Sequence, residues 1–325
     1  MNEERPPLAS GSLDRDAATR ATPELLKAAW REPGSLVLRV RGVEIPVATD
    51  GEAARLALVP AAGELPAPSD ADPAGALYLG RVVGKPVFAV ADPGLAPDPE
   101  TDSGPGAGAA DAAATDAAAE ERWVHTFEVS GELDDTEREL VAVASALLRW
   151  HEAAAYSPRD GEVTEVALGG WARRDARGGE LFPRTDPAVI VLIEHEDRIL
   201  LGSNALWEAG RFSLLAGFVE AGEGLEQTVE REVFEEAGVR LEGITYVTSQ
   251  PWPFPRSLML GFRARLATRA DPEDLNPDPE EISELRWFTR EQLRNPEPGI
   301  ILPMPVSIAR WMIDRWVDEE PSGGH

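Results

Sequence analysis

Apolar positions along the chain follow a few distinct rhythms. Between residues 36 and 47, and again between 75 and 90, β-branched and other apolar residues are broken by turn signals such as Gly84-Lys85, which predicts short strands. From residue 133 to 155 the rhythm shifts to threes and fours. Leu140, Val143, Ala144, Leu147 and Leu148 form one helical stripe, with Asp135 placed as the N-cap. Residues 157–182 are polar and Gly-rich, with weak strand character at 163–168. Two apolar runs, 189–193 and 198–201, predict paired strands; further strands are expected at 244–247, 258–265 and 285–288, and a closing helix near 306–317. Between them, residues 225–237 read as a helix ended by Gly238. The fold class this predicts is α+β / α/β: a β-rich N-terminal region, then a C-terminal α/β/α sandwich rather than a doubly wound sheet.

Composition refines the division. Residues 93–120 are Ala, Gly, Asp and Pro with no aromatic, a composition that cannot form a core and predicts a flexible acidic insert. The expected organisation is therefore a loosely ordered start (1–20), a β-rich domain (21–92), the insert (93–120), a helix with a small irregular segment (121–185), the sandwich (186–317) and a tail (318–325). A formal charge of -27 repels polyanions, arguing against nonspecific nucleic-acid binding and against anionic membranes. No apolar run approaches the ~20 residues that span a bilayer, and no signal-peptide pattern opens the chain, so a soluble cytoplasmic protein is expected. There are no cysteines.

The chemistry concentrates in GFVEAGEGLEQTVEREVFEEAGV, from Gly217 to Val239. Gly217 and Gly222 permit a tight loop where a Cβ would intrude on a ligand. On the helix that follows, Glu232 and Glu236 are four apart and share a face, with Glu235 to one side. Carboxylates packed this densely repel one another unless a cation neutralises them, and all-oxygen ligands suit Mg²⁺ or Mn²⁺. Such ions neutralise a pyrophosphate and help ionise an attacking water. A solvated acidic helix is the plain alternative, and it suffices for Glu226 or Glu230 alone. Arg231 reads as a partner that orients a carboxylate. The whole run matches the Nudix box at nine constrained positions, which chance supplies on the order of once in 10^8 windows.

Shortly after it comes Ser249-Gln250-Pro251-Trp252-Pro253-Phe254-Pro255-Arg256-Ser257. The prolines pre-set φ, so Trp252 or Phe254 is either a flat surface for a ring or part of a proline-rich turn capping a sheet. Placed after a Nudix box, this stretch resembles the signature of the NADH pyrophosphatase (NAD diphosphatase) family of Nudix hydrolases. The resemblance extends upstream through 182–190 and downstream through Glu281-Ile282, Trp287-Phe288 and Ile308-Ala309-Arg310.

The resemblance implies metal-dependent hydrolysis of NAD(H) to nicotinamide mononucleotide and AMP, with removal of NAD caps from RNA, or cleavage of another dinucleotide such as ADP-ribose, as alternatives. It implies Glu232, Glu235, Glu236, Glu281 and the Ala216 carbonyl as metal contacts, with Glu235 or Glu236 as general base. Phe182, Phe218, Gln250, Pro251, Trp252, Pro253, Phe254, Pro255, Arg256, Ser257 and Ala309 correspond to the substrate-binding positions. It also implies a homodimer. A non-hydrolysing NAD-binding sensor is the alternative from another class, and the intact carboxylates speak against it. One departure stands out: the family commonly carries a four-cysteine zinc ribbon before the Nudix domain, and here Ser157, Asp160, Asp175 and Gly178 stand at those positions. A serine, a glycine and two carboxylates do not replace a thiolate cage. A degenerate ribbon without zinc is expected, resting on packing around Tyr156, Trp171 and Phe182, and none of His125, His151, His195 and His325 is read as a ligand.

Overall fold

A computed structural model describes residues 5–9, 11–50, 53–69, 72–92, 121–129 and 131–319. The acidic insert expected at 93–120 lies outside the described residues, as do 320–325 of the tail. The chain divides into two compact units: one of Met1–Ala9, Thr185–Trp252 and Ser257–His325, the other of Ser10–Arg184 and Pro253–Arg256.

In the second unit the strands Val59–Pro60, Leu36–Val40, Lys85–Ala91 and Leu77–Val82 lie in that order in one sheet. Leu36–Val40 and Lys85–Ala91 run parallel there. A second sheet places Glu44–Asp50 between Ala53–Leu56 and Arg122–His125. The helix Asp135–Ala153 buries its expected stripe, Leu140, Val143, Ala144, Leu147 and Leu148, in a core shared with Leu38, Ile45, Val47, Leu77, Leu79 and Val87. Its cap is Asp134 rather than Asp135: the Asp134 carboxylate accepts from the Glu137 amide at 2.8 Å, and Glu137 reaches back to the Asp134 amide at 3.1 Å. That reciprocal pair satisfies two amides the helix leaves open, and only the first aspartate is spaced for it. The stretch expected to be loose before residue 20 holds defined structure as well. Leu13 is in the core, and Asp16 accepts from the Tyr78 hydroxyl at 2.7 Å and Arg81 Nε at 2.8 Å.

The cysteine-free ribbon segment forms a three-stranded sheet, Glu180–Leu181, Ala172–Arg174 and Glu165–Ala167. Its anchors differ from expectation. Tyr156 and Phe182 are 65% and 57% exposed, so only Trp171 of the three aromatics holds the segment: its indole donates to the Tyr78 carbonyl at 2.7 Å, with the Arg20 guanidinium 4.3 Å over its ring. The buried centre is polar instead. Arg173 donates to Thr164 Oγ1 (2.6 Å), the Thr164 carbonyl (2.8 Å), the Pro73 carbonyl (3.0 Å) and His151 Nδ1 (2.8 Å). His151 Nε2 meets the Gly170 carbonyl at 2.8 Å. Because a guanidinium only donates, His151 Nδ1 accepts and the ring carries its proton on Nε2. The two tight turns at Asp175 and Ser157 are closed by a carboxylate and a hydroxyl: Asp175 Oδ1 accepts the Arg177 and Gly179 amides at 2.9 and 2.7 Å, and Ser157 Oγ accepts the Arg159 amide at 3.2 Å.

In the first unit the sheet runs Leu241–Trp252, Ser257–Leu266, Asp186–His195, Arg198–Asn204, Ile282–Thr289, with Leu215–Phe218 also on Asp186–His195. Asp186–His195 is buried on both faces, as a central strand must be when helices cover each side. Ile190 and Leu192 point into a core with Ile308, Met312, Ile313 and Trp316 of the helix Ile308–Asp318. Val189, Val191 and Ile193 point into a core with Val229, Val233 and Ala237 of the helix Leu225–Ala237. This is an α/β/α sandwich. Several strands outrun their apolar cores; Leu241–Trp252 extends through exposed Tyr246 because it is an edge strand with a half-solvated face. Among the described residues, no helix is long and apolar enough to cross a membrane.

Candidate active site

One edge of Asp186–His195 changes partner part-way. It pairs with Leu215–Phe218 over Ala188–Val191 and with Arg198–Asn204 over Ile193–His195. The chain leaves this fork at Phe218, passes through the glycine loop and enters the helix Leu225–Ala237. Gln227 Oε1 caps that helix by accepting the Gly224 amide at 2.8 Å, and Gly238 ends it at a φ of 73°.

Spacing of four sorts the helix into rows. Val229, Val233 and Ala237 form the core row. The adjacent row is Thr228, Glu232 and Glu236, polar yet drawn inward: Thr228 is fully buried and Glu236 is 7% exposed. The next row outward is Gln227, Arg231 and Glu235. Arg231 is the junction of the site. Its Nε and one terminal nitrogen grip the two oxygens of Glu223 at 2.6 and 2.8 Å, and that terminal nitrogen also donates to the Phe218 carbonyl at 2.9 Å. The other terminal nitrogen reaches Glu232 at 2.9 Å and Glu235 at 3.0 Å. The Arg231 bonds, together with the Glu220 amide, hold the Glu223 carboxyl down at about 2. Glu223 also accepts from Thr228 Oγ1 at 2.9 Å, so it staples the loop to the helix. Sequence spacing points to Arg231 as an orienting partner; the role of Glu223 is signalled only by its place in the Gly217–Val239 run.

Glu236 is the exception in this array. Its Oε2 is buried without a hydrogen-bond partner. Burial, and then the charges of Glu232 and Glu281, push its carboxyl up to about 8, while a backbone hydrogen bond from Ala216 pulls the other way. Glu232 is also raised, first by burial, against the pull of Arg231. No basic residue occupies the last helical turn, so Glu235 and Glu236 sit at the negative end of the helix dipole as well. Gly217 makes the crowding feasible: a Cβ there would lie 1.9 Å from the Glu232 carboxyl carbon. Glu281 precedes the strand Ile282–Thr289, and its carbonyl accepts the Ala205 amide at 2.8 Å.

Among the described residues no three His, Asp or Glu side chains are gathered tightly enough to enclose an ion as they stand. Like charges spread, and Arg231 takes one oxygen each from Glu232 and Glu235. The donor set nevertheless fits a hard dication, since it is all oxygen and includes one buried carboxylate oxygen with nothing to bind.

The expected substrate positions are divided between the two units. Phe218 is exposed at the end of its strand. Pro251 and Trp252 end the strand Leu241–Trp252, where Trp252 pairs with Ser257. Pro253, Phe254, Pro255 and Arg256 cluster with the second unit, as does Phe182; the Phe254 ring lies 4.6 Å from that of Phe127. Ala309 is buried in the first turn of the closing helix. Gln250 departs from expectation: it is fully buried, and its amide is spent on the fold. Its Nε2 donates to the Pro7 carbonyl (2.6 Å) and the Val306 carbonyl (2.9 Å), and its Oε1 accepts the Ile308 amide (2.7 Å).

The NUDIX domain family matches residues 184–304. An "NAD-capped RNA hydrolase NudC" of Mycobacterium bovis (strain BCG / Pasteur 1173P2) is 39% identical over 325 residues, covering 96% of this chain and 94% of that protein. An "NAD-capped RNA hydrolase NUDT12" of Macaca fascicularis is 36% identical over 207 residues, 59% of this chain and 44% of that protein. The crystal structure of a NUDIX hydrolase from Nitrosomonas europaea aligns with a TM-score of 0.36 at 23% identity, over 45% of this chain and 96% of that one.

Proposed function

Because this chain belongs to the NADH pyrophosphatase family of Nudix hydrolases, we propose that it cleaves the pyrophosphate bridge of an NAD group, releasing nicotinamide mononucleotide and AMP from NAD(H). The observation that carries the reading is the buried, partnerless Glu236 oxygen, whose ionisation the charges of Glu232, Glu281 and Glu235 oppose, an arrangement unfavourable for folding alone. Glu232, Glu236, Glu281 and the Ala216 carbonyl would hold Mg²⁺ or Mn²⁺, which when bound supplies charge neutralisation for the pyrophosphate and acidifies water. The chain's own residues do the rest. Arg231 fixes the glycine loop and keeps Glu235 at the open side of the helix, where a carboxylate can take a proton from water. Glu236, lacking solvent, suits a ligand role better than that of the base. Exposed Phe218 offers a ring face at the start of the loop.

The same bond occurs in NAD-capped RNA, and the relatives' names favour that substrate as a second reading. The charge of -27 favours a small dinucleotide over a long polyanion. Purified protein with Mn²⁺ and either NADH or an NAD-capped transcript separates these cases. AMP and nicotinamide mononucleotide are expected from NADH. Turnover of the transcript alone selects the second reading, and no AMP from either substrate overturns the proposal. A homodimer belongs to the same reading and is checked by light scattering.

A further inference from the structure

Gln250 lies in the middle of a stretch that family likeness assigns to the substrate, yet all its contacts point inward. Both amide hydrogens and one oxygen lone pair are used: Nε2 on the Pro7 and Val306 carbonyls, Oε1 on the Ile308 amide. Ile308 is the first residue of the closing helix, and its amide has no partner within the helix. Gln250 therefore caps that helix from a neighbouring strand, beside the local cap in which Ser307 Oγ accepts the Arg310 amide at 3.2 Å. On the other side Gln250 holds residues 5–9, whose Leu8 is buried and whose Ala9 amide closes a turn on the Pro6 carbonyl at 3.2 Å. Three segments distant in sequence thus meet on one primary amide: the start of the chain, the strand that ends at Pro251-Trp252, and the helix start that carries Ala309.

We propose that Gln250 is a positioning residue. It sets the spacing between the Trp252 strand end and the Ala309 helix start, uses residues 5–9 as a third support, and makes no contact with substrate. This deepens the NAD reading and rests on it for its kinetic test. The side chain is suited to the task because the three partners need two donors and one acceptor on one planar group. Neither Glu nor Met offers that set.

Three variants test the assignment. Gln250→Met keeps the shape and removes every bond; Gln250→Glu keeps the acceptor for Ile308 but sets a carboxylate against two carbonyls; Leu8→Ala loosens the Pro7 support and leaves Gln250 intact. The KM for NADH is expected to rise about tenfold in Gln250→Met and Gln250→Glu and about threefold in Leu8→Ala, with kcat within about twofold of the parent. Exchange of the Ile308 amide with deuterium should accelerate in Gln250→Met and stay slow in Gln250→Glu. A parental KM in Gln250→Met, or a fall in kcat at constant KM, overturns the proposal. If the parent fails to cleave NADH, the functional reading fails by itself, and the Ile308 exchange pattern still decides whether Gln250 holds the helix. If Gln250→Met does not fold, the other two variants carry the same test, and a parental KM in both overturns it.

Discussion

Two buried charged groups in this protein are treated in opposite ways. Arg173 and its neighbour His151 have a hydrogen-bond partner at every side-chain nitrogen, so the charge is fixed in place. Glu236 is buried among carboxylates, keeps one oxygen without a partner and has its ionisation opposed by burial and by Glu232 and Glu281. A satisfied buried charge is a structural device, whereas an unsatisfied one marks where something else must bind. The segment of residues 156–182 belongs to the first kind: its buried polar centre is closed by hydrogen bonds among Arg173, His151, Thr164 and Gly170.

The largest effect that sharpens this contrast is expected from Glu236→Gln. It should lower kcat at saturating Mn²⁺ by on the order of 10³-fold, while the melting temperature stays level or rises because a repelled charge is gone. Parental turnover would show that the unpaired oxygen is not functional. Arg173→Met should do the reverse. It strands the Thr164 and Pro73 carbonyls, and a loss of about 3–4 kcal/mol in chemical denaturation is expected, with the Mn²⁺ dependence of activity unmoved.

Third in size is a pH effect. Burial, and then the Arg173 charge, lower His151 from 6.5 to about 4, against the pull of the Gly170 carbonyl. The neutral ring is the folded form, so the unfolded chain binds the extra proton first. Stability from this group is complete above about pH 6.5, declines as pH falls toward 4, and is flat below that; the total is about 3 kcal/mol. His151→Gln keeps an acceptor and a donor and should flatten the slope. A slope unchanged by this substitution removes His151 as its source. The smallest change in stability is expected on chelation. EDTA should abolish hydrolysis reversibly and leave the melting temperature of metal-free protein unchanged, since no metal's binding energy supports the ribbon segment. About one tightly held zinc per chain by elemental analysis would refute this.

These regions also differ in how far the chain can be read without coordinates. The glutamate helix was legible to the residue, Leu225 to Ala237 with Gly238 behind it, because its information is local: a spacing of four, a cap and a stop. The rows that set Glu236 inside and Glu235 outside follow from the same spacing. The ribbon segment was not legible in this way. An aromatic is the default choice for a buried anchor, so Tyr156 and Phe182 were favoured, yet both are exposed and the buried centre is an arginine and a histidine. Their burial depends on the Pro73 carbonyl, 100 residues from Arg173, and no local pattern reports such a partner. The inward bonds of Gln250 are hidden from local pattern for the same reason, since its partners lie 243, 56 and 58 residues away.

The two glycines of the loop resist substitution on different grounds: backbone handedness at one, displacement of the Glu232 carboxyl at the other. At Gly222 the surroundings are empty, but φ is +99°; a mirror-image amino acid is comfortable there and an ordinary one is not. At Gly217 the obstacle is volume, the Glu232 carboxyl 1.9 Å from where an L-side chain would begin. A semisynthetic enzyme with D-alanine at 222 should therefore work where L-alanine fails. Within the genetic code, which offers one achiral residue, both positions converge on the same letter.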